Sequence, residues 1–149
     1  MKDKVILLVE DSLDDVRLTK RALEQNNISN RLVVVNDGFE ALNYLQNAAT
    51  SLDGSVALPA VILLDLKLPK MDGLQVLRNI RADEKLKRLP VVILTSSREE
   101  PDILKSYELG ANSYIRKPVD FEQFNDAVHN LGLYWLLLNE PPPRVGEAA

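Results

Sequence analysis

The 149-residue chain has no cysteine, a single histidine and few aromatic residues, which make up 5% of the sequence. Without cysteine it can form neither a disulfide framework nor a thiolate metal site, and it has no thiol nucleophile. Lack of cysteine fits a reducing compartment, so we expect a cytoplasmic protein. The one histidine, His129, is a poor candidate for phosphotransfer or metal binding, because metal sites normally need several ligands.

Long apolar runs and basic clusters are also missing. No segment reaches the roughly 18 apolar residues of a transmembrane helix, and the amino terminus shows no export signal. The net charge is −4 without a dense group of Lys and Arg, so neither a membrane nor nucleic acid is expected as a direct partner. An apolar content of 46% and a charged content of 27% are typical of one soluble globular domain.

Short apolar runs alternate along the chain with segments of helical periodicity. The runs cover residues 5–9, 32–35, 60–64, 91–94 and 113–115. Five strands alternating with five helices predict an α/β domain with a parallel sheet covered on both faces. Helices on both faces require the chain to reverse direction once, which favours a flavodoxin-like (βα)5 doubly wound fold with strand order 2-1-3-4-5.

Local signals predict several features of the helices and loops. Leu13, Val16 and Leu23 are spaced for the inner face of the first helix. The segment 47–59 is expected to be a loop, because it contains Ser, Gly and Asp. Gly110 is expected to end the fourth helix.

Polar and charged side chains stand where the predicted strands end. Glu10 and Asp11 follow the first strand, Asp65 the third, Thr95 the fourth and Lys117 the fifth. In open α/β sheets ligands bind at the carboxyl ends of the strands, and the predicted order brings these ends to one edge. Taken alone, Asp65 could merely open a turn, and Glu10 with Asp11 could cap a helix. Their coincidence on one edge favours a shared site.

The chemistry of this group of side chains favours phosphoryl transfer. Neighbouring carboxylates repel one another, and Mg²⁺ resolves the conflict because it is usually bound by one or two carboxylates with waters and phosphate oxygens. Lys117 adds a positive charge and Thr95 a hydroxyl donor, which together would bind a doubly charged oxyanion. Catalysis of phosphoryl transfer consists mostly of positioning and charge stabilisation. We therefore predict that Asp65 is the attacking carboxylate and forms an aspartyl phosphate.

Four motifs surround these residues. They are Val-Glu10-Asp11, Leu64-Asp65-Leu-Lys67-Leu-Pro69-x-x-Asp-Gly73, Thr95-Ser96 and Gly110-Ala-x-x-Tyr114-x-x-Lys117-Pro118. In this order and spacing they resemble the receiver domain of two-component response regulators, over about residues 4–131. The resemblance implies that Asp65 accepts a phosphoryl group from a histidine kinase.

The resemblance also implies a ligand set for a metal ion. Asp11 and Asp65 would bind Mg²⁺ directly, the backbone carbonyl of Lys67 would complete the protein ligands, and Glu10 would act through water.

A second group of residues would respond to the phosphoryl group. The resemblance implies that Thr95 and Tyr114 form a switch pair and that Lys117 contacts the phosphoryl group. It also implies a cis bond between Lys117 and Pro118, since cis peptide bonds are essentially confined to proline.

Three other functions share some of these features with a regulator, which we do not expect to be an enzyme. Phosphatases of the haloacid-dehalogenase type share an Asp nucleophile, Mg²⁺ and a parallel sheet, but Lys67 stands where they carry a second Asp as general acid. A dinucleotide-binding protein is excluded, because no Gly-x-Gly-x-x-Gly follows the first strand. A receiver-like binding module that is never phosphorylated remains the third alternative. The four residues that argue against it are Asp11, Asp65, Thr95 and Lys117.

The receiver domain is predicted to span residues 1–131, and residues 132–149 form an extension that is first apolar and then rich in proline. No output domain is expected, because so few residues follow the last core helix. The extension and the opening segment 10–15, Glu-Asp-Ser-Leu-Asp-Asp, resemble single-domain regulators of phytochrome kinases. This resemblance implies a phytochrome-type kinase as partner, and a homodimer.

The apolar part of the extension independently predicts an interface. Six consecutive large apolar residues, 133–138, cannot all face the interior of one small domain. Exposed apolar patches of this size usually mark interaction sites, and two-fold symmetry is the commonest oligomer symmetry. We expect a homodimer through the last helix and the extension. The extension could instead fold back on its own domain or bind another protein.

Overall fold

The computed structural model describes residues 4–26, 31–95, 100–116 and 121–132. It contains five strands: β1 (Val5–Val9), β2 (Leu32–Val35), β3 (Pro59–Leu64), β4 (Val91–Thr95) and β5 (Ser113–Arg116). It contains five helices: α1 (Leu13–Gln25), α2 (Gly38–Thr50), α3 (Gly73–Ala82), α4 (Glu100–Glu108) and α5 (Phe121–Gly132). Lys117, Pro118 and the segment 133–149 lie outside the described residues, so the predictions made for them stay predictions.

The strands form one parallel sheet in the order β2-β1-β3-β4-β5. This confirms the predicted flavodoxin-like topology. Val9 pairs with Leu64 at the last position of the β1–β3 ladder, so the chain leaves both strands at the same level. The residues that follow, Glu10 and Asp65, therefore start from adjacent points at the carboxyl edge of the sheet.

Apolar residues of alternating strand positions form two cores, one on each face of the sheet. Leu7, Ile62 and Ile93 pack on the side of α2 and α3, together with Leu45 and other buried residues. The intervening strand residues pack on the side of α1. Burial on both faces explains why these strands appear in the sequence as continuous apolar runs.

Helix α5 lies beside α1. The side-chain amide of Asn26, at the end of α1, donates to Asn125 Oδ1 at 2.9 Å. His129 Nδ1 lies 2.7 Å from Asn26 Oδ1, an acceptor atom, so Nδ1 is the donor of this bond. His129 is exposed on α5. None of the helices in the described part of the chain is long and apolar enough to cross a bilayer.

Two local predictions were wrong. Leu13 is not on the inner face of α1 but is 61% exposed, because it is the first helical residue and the buried face begins at Val16. The segment 47–59 is not entirely loop, since α2 continues to Thr50 with Ala48 buried against the core. Alanine is the strongest helix former, which explains the extension of α2. Strand β3 also begins one residue early, at Pro59, a first-strand position that proline tolerates.

Gly110 stops the fourth helix as predicted. The last helical residue of α4 is Glu108, and Gly110 lies in the turn that follows. The N–H of Gly110 donates to the carbonyl of Tyr107 at 3.0 Å, and that of Ala111 to the carbonyl of Ser106 at 2.9 Å. This pair of bonds is the Schellman motif, which requires a left-handed residue. Gly110 has φ +98° and supplies that conformation at no steric cost.

Candidate functional site

Three carboxylates meet at the carboxyl edge of the sheet. The backbone N–H of Glu10 donates to Val35 (3.0 Å) and that of Asp65 to Val9 (3.1 Å), which continues the ladders one residue beyond the strands. Glu10, Asp11 and Asp65 each offer an oxygen, and these oxygens all lie within 4.8 Å of one another. The structure therefore brings together the three acidic residues that the sequence analysis selected.

The carboxylates differ in exposure. Glu10 is 2% exposed and Asp65 is 7% exposed, whereas Asp11 is exposed to solvent. Backbone N–H groups bond two of them: Ser12 donates to Glu10 Oε2 at 3.2 Å and Lys67 to Asp65 Oδ1 at 3.3 Å. Partly buried like charges repel more strongly than exposed ones, because the local dielectric constant is lower. An all-oxygen donor set with one side open to water fits a hard divalent cation.

The loop that carries Lys67 is fixed to the end of β3 by close backbone packing. The N–H of Gly73, the first residue of α3, donates to the carbonyl of Leu66 at 2.9 Å. A Cβ at Gly73 would lie 2.2 Å from the carbonyl oxygen of Asp65, a distance that no side chain permits. Glycine at this position lets α3 begin directly against the backbone of Asp65.

A second contact holds the same loop from the side of α2. Lys70 has φ 67°, a left-handed conformation that is uncommon outside glycine, and its Nζ lies 3.4 Å from Asp37 Oδ2. Asp37 also caps α2 by accepting the N–H of Glu40 at 2.8 Å. That backbone bond, and then Lys70, keep the pKa of Asp37 below its ordinary value against the opposing effect of burial. Sequence reasoning missed this pair, although the turn Asn-Asp-Gly at 36–38 was a signal for a cap.

The proposed switch residues lie on β4 and β5. Thr95, the last residue of β4, is fully buried. Tyr114 is half-buried, pairs with Ile93 and packs against the core on the side of α2 and α3. Thr95 is two residues beyond Ile93 and so belongs to the same face of the sheet as Tyr114. Lys117, the cation expected nearby, lies outside the described residues.

Comparison with known proteins gives a consistent result. The family model for the response regulator receiver domain matches residues 6–129. Response regulator Rcp1 from Synechocystis sp. is 42% identical over 133 residues, which span 89% of each chain.

The solved structures that are similar over 94% of this chain include three response regulators. The phosphorylated cyanobacterial phytochrome response regulator RcpA is 41% identical, with a TM-score of 0.84 and 99% of its chain covered. The Mn(2+)-bound form of response regulator Rcp1 is 40% identical, with a TM-score of 0.82 and the same coverage. The bacteriophytochrome response regulator RtBRR is 54% identical, with a TM-score of 0.72 and 84% of its chain covered.

Proposed function

Because the chain belongs to the response regulator receiver domain family, we propose that it accepts a phosphoryl group on Asp65 and signals through the resulting change of its surface. The observation that carries this proposal is the group of three carboxylate oxygens within 4.8 Å at the end of the central strands. Asp65 is one of the two buried members and directly follows β3, the central strand of the sheet, which makes it the best-positioned nucleophile of the three.

The phosphoryl donor is a phosphohistidine of a histidine kinase. One carboxylate oxygen of Asp65 forms the new O–P bond while the P–N bond to the kinase imidazole breaks. The leaving imidazole nitrogen keeps the bonding electron pair and takes up a proton. The backbone N–H of Lys67, 3.3 Å from Asp65 Oδ1, orients the carboxylate before the attack.

Divalent cation binding is supported by the acidic cluster and by the Mn(2+)-bound form of Rcp1. We assign Mg²⁺ as the cation of this chain, held by Asp11 and Asp65, by the backbone carbonyl of Lys67, and by Glu10 through water. When bound, such a cation offsets the negative charge of the carboxylates and of the incoming phosphoryl group. Lys117 would add a second positive charge to the phosphoryl oxygens.

The response passes from Asp65 to the surface formed by α4 and β5. The phosphoryl group attracts the hydroxyl of Thr95, and Tyr114 enters the space that this movement opens. Helix α4 exposes two large apolar side chains, Leu104 at 62% and Tyr107 at 49%. A two-state shift of this surface needs a bias of only a few kcal/mol, which one added charge can supply.

The relatives indicate the class of kinase. RcpA is described as a phytochrome response regulator and RtBRR as a bacteriophytochrome response regulator. We therefore propose a phytochrome-type histidine kinase as the partner, and a cytoplasmic regulator rather than an enzyme. Lys67 supports the regulator, because a phosphatase with an Asp nucleophile needs an acid where this lysine stands.

Labelling of Asp65 tests the proposed function. Full-length wild-type protein should be labelled by acetyl phosphate and by a phytochrome-type kinase in the presence of Mg²⁺. Asp65→Asn keeps the shape of the side chain, removes the nucleophile and should abolish labelling. Asp14→Asn, an exposed carboxylate on α1, is the matched control and should be labelled like the wild type. Undiminished labelling of Asp65→Asn would overturn the assignment.

We further propose that the receiver domain ends at residue 131 and that residues 132–149 make a homodimer together with the last helix. The support is the run of large apolar residues at 133–138. Truncation after Gly132 should give a monomer that still accepts phosphate. Light scattering at tens of micromolar tests this, and a monomeric full-length chain would contradict it.

A further inference from the structure

Arg81, at the end of α3, uses every N–H group of its guanidinium. Its Nε and Nη2 donate to the carbonyl oxygen of Gly110 at 2.9 and 2.7 Å. Its Nη1 donates to the carbonyl oxygens of Lys87 at 3.0 Å and Leu89 at 2.8 Å. The remaining N–H, on Nη2, donates to Asn112 Oδ1 at 3.0 Å. One side chain thus joins α3, the segment before β4 and the turn between α4 and β5.

All of these acceptors are uncharged. The guanidinium is half-buried, and burial lowers the pKa of Arg81 from its ordinary value. It nevertheless stays protonated, because arginine does not deprotonate in proteins. Its planar fork holds five fixed donor directions, so the carbonyls around it are held in fixed relative positions. We call this set of hydrogen bonds from Arg81 the Arg81 joint. It does not depend on a charged partner that solvent or salt could displace.

The contact with Gly110 is especially close. A Cβ at Gly110 would lie 2.9 Å from Arg81 Nε and 3.1 Å from its Cδ. Gly110 is also the left-handed residue at which α4 ends. The residue that stops α4 is therefore the same residue that Arg81 holds with two hydrogen bonds.

Asn112 extends this joint to the start of β4. Its side-chain oxygen accepts the N–H of Val91 at 2.8 Å, and its own N–H donates to the carbonyl of Val91 at 2.8 Å. The start of β4 and the end of α4 are consequently tied together at the amino edge of the sheet. The other end of β4 is Thr95, at the opposite edge.

We infer that Arg81 is a positioning residue that makes Gly110 the fixed pivot of α4. A displacement that starts beside Thr95 then swings the amino-terminal end of α4, while the end at Gly110 stays in place. Of the two exposed apolar residues on α4, Leu104 is farther from the pivot and moves more than Tyr107. The inference rests on the proposed function in one respect, namely that phosphorylation of Asp65 starts the movement.

Amide chemical shifts of the full-length chain test the pivot, recorded with and without Mg²⁺ and beryllofluoride as the phosphoryl mimic. In the wild type, the mean shift change over residues 108–112 should be below about one third of that over residues 102–104, as a hinge requires. In Arg81→Gln this ratio should rise roughly twofold or more, because the pivot is released. Arg81→Lys keeps the charge and some donors and should fall between. Arg78→Gln, on the exposed side of α3, should behave like the wild type.

Hydrogen exchange without any phosphoryl mimic gives a second readout. Release of the pivot should accelerate exchange at residues 109–112 in Arg81→Gln by roughly tenfold more than at core amides such as Ile93. A uniform acceleration would mean that Arg81 serves only global stability, and it would overturn the pivot. A shift ratio in Arg81→Gln equal to that of the wild type would overturn it as well.

The two readouts separate this inference from the proposed function. If beryllofluoride caused no shift at Asp65 or Thr95 in the wild type, the phosphorylation proposal would be wrong. In that case the exchange measurement still decides whether Arg81 anchors the end of α4. Should Arg81→Gln fail to fold, Arg81→Lys is used in both measurements. An unchanged shift ratio or a uniform acceleration of exchange in Arg81→Lys would then overturn the inference.

Discussion

The two edges of one parallel sheet handle charge in opposite ways. At the carboxyl edge, Glu10, Asp11 and Asp65 bring three anionic groups within 4.8 Å of one another. At the amino edge, Arg81 places one cation among oxygens that carry no net charge. The first arrangement favours a cation from solution, whereas the second is complete within the chain.

The difference separates an adjustable site from a permanent joint. Backbone carbonyls are part of the fold and present at any solution composition, so the interactions of Arg81 change little with metal or phosphate. The carboxylates, by contrast, change their interaction energy whenever a cation or a phosphoryl group arrives. A regulator needs both the carboxylate site, whose interactions change, and the Arg81 contacts, which stay the same. A change at Asp65 moves a surface only relative to a part of the domain that keeps its position.

The largest effect is expected from Gly73→Ala, which tests whether backbone packing rather than charge positions Asp65. The new Cβ would lie 2.2 Å from a backbone carbonyl that cannot move away easily. We expect the free energy of unfolding to fall by about 3 kcal/mol or more, the upper range for overpacking. Urea denaturation measures this change.

Gly54→Ala is the matched control for Gly73→Ala. Gly54 has φ +72°, and no atom lies within 4 Å of the position of its Cβ. Only the left-handed backbone is penalised there, at about 1 kcal/mol. Equal losses for the two variants would mean that the close approach of α3 to Asp65 is unimportant.

An intermediate effect is expected from Mg²⁺, which should distinguish the two edges directly. At a Mg²⁺ concentration about 100 times its Kd, stabilisation should reach about 2.7 kcal/mol in the wild type by mass action. Asp11→Ala should lose this increment, and in EDTA it should unfold no earlier than the wild type, because one repelling charge is gone. Calorimetric melting with and without Mg²⁺ is the measurement.

Arg81→Gln serves as the counterpart in the same experiment. It should melt earlier than the wild type both with and without Mg²⁺ but keep the full Mg²⁺ increment. If Mg²⁺ stabilised Asp11→Ala as much as the wild type, the carboxylate cluster would not be the cation site.

The smallest change in the free energy of unfolding is expected for a substitution of Asp37. This carboxylate is stabilised within the chain by a backbone N–H and by Lys70. The pKa of Asp37 is lowered in the folded state from 3.8, first by the N–H of Glu40. A depressed folded pKa contributes stability that is complete above the unfolded pKa and is lost as the pH falls through the folded value. The difference in the free energy of unfolding between Asp37→Asn and the wild type should therefore be largest above about pH 5 and should shrink as the pH falls below 3.8.

Urea titrations at several pH values check the behaviour of Asp37, with Asp14→Asn as the exposed control. A difference between Asp37→Asn and the wild type that stays constant with pH would show that the lost interaction does not involve the charge of Asp37.

Much of the fold could be predicted because its signals are local. Each buried strand is a short apolar run, and alternation of such runs with helical periodicity leaves few topologies once crossover handedness is imposed. The same rules predict that Glu10, Asp11 and Asp65 lie at one edge of the sheet. The error at Leu13 arose because periodicity does not report where the buried face of a helix begins. The error at the end of α2 arose because the Ser, Asp and Gly residues that indicate a loop come only after Thr50.

The sequence by itself determined the order of the strands and the residues at their carboxyl ends, since both depend on hydrophobic pattern and chain direction. Only the tertiary structure decided the role of Arg81, whose acceptors lie 6, 8, 29 and 31 residues away along the chain. An arginine near the end of an amphipathic helix has the same local pattern whether it faces solvent or a ring of carbonyls. The Lys70–Asp37 pair was likewise set by the packing of two loops, because hydrogen-bond geometry between distant segments leaves no periodic trace in a sequence.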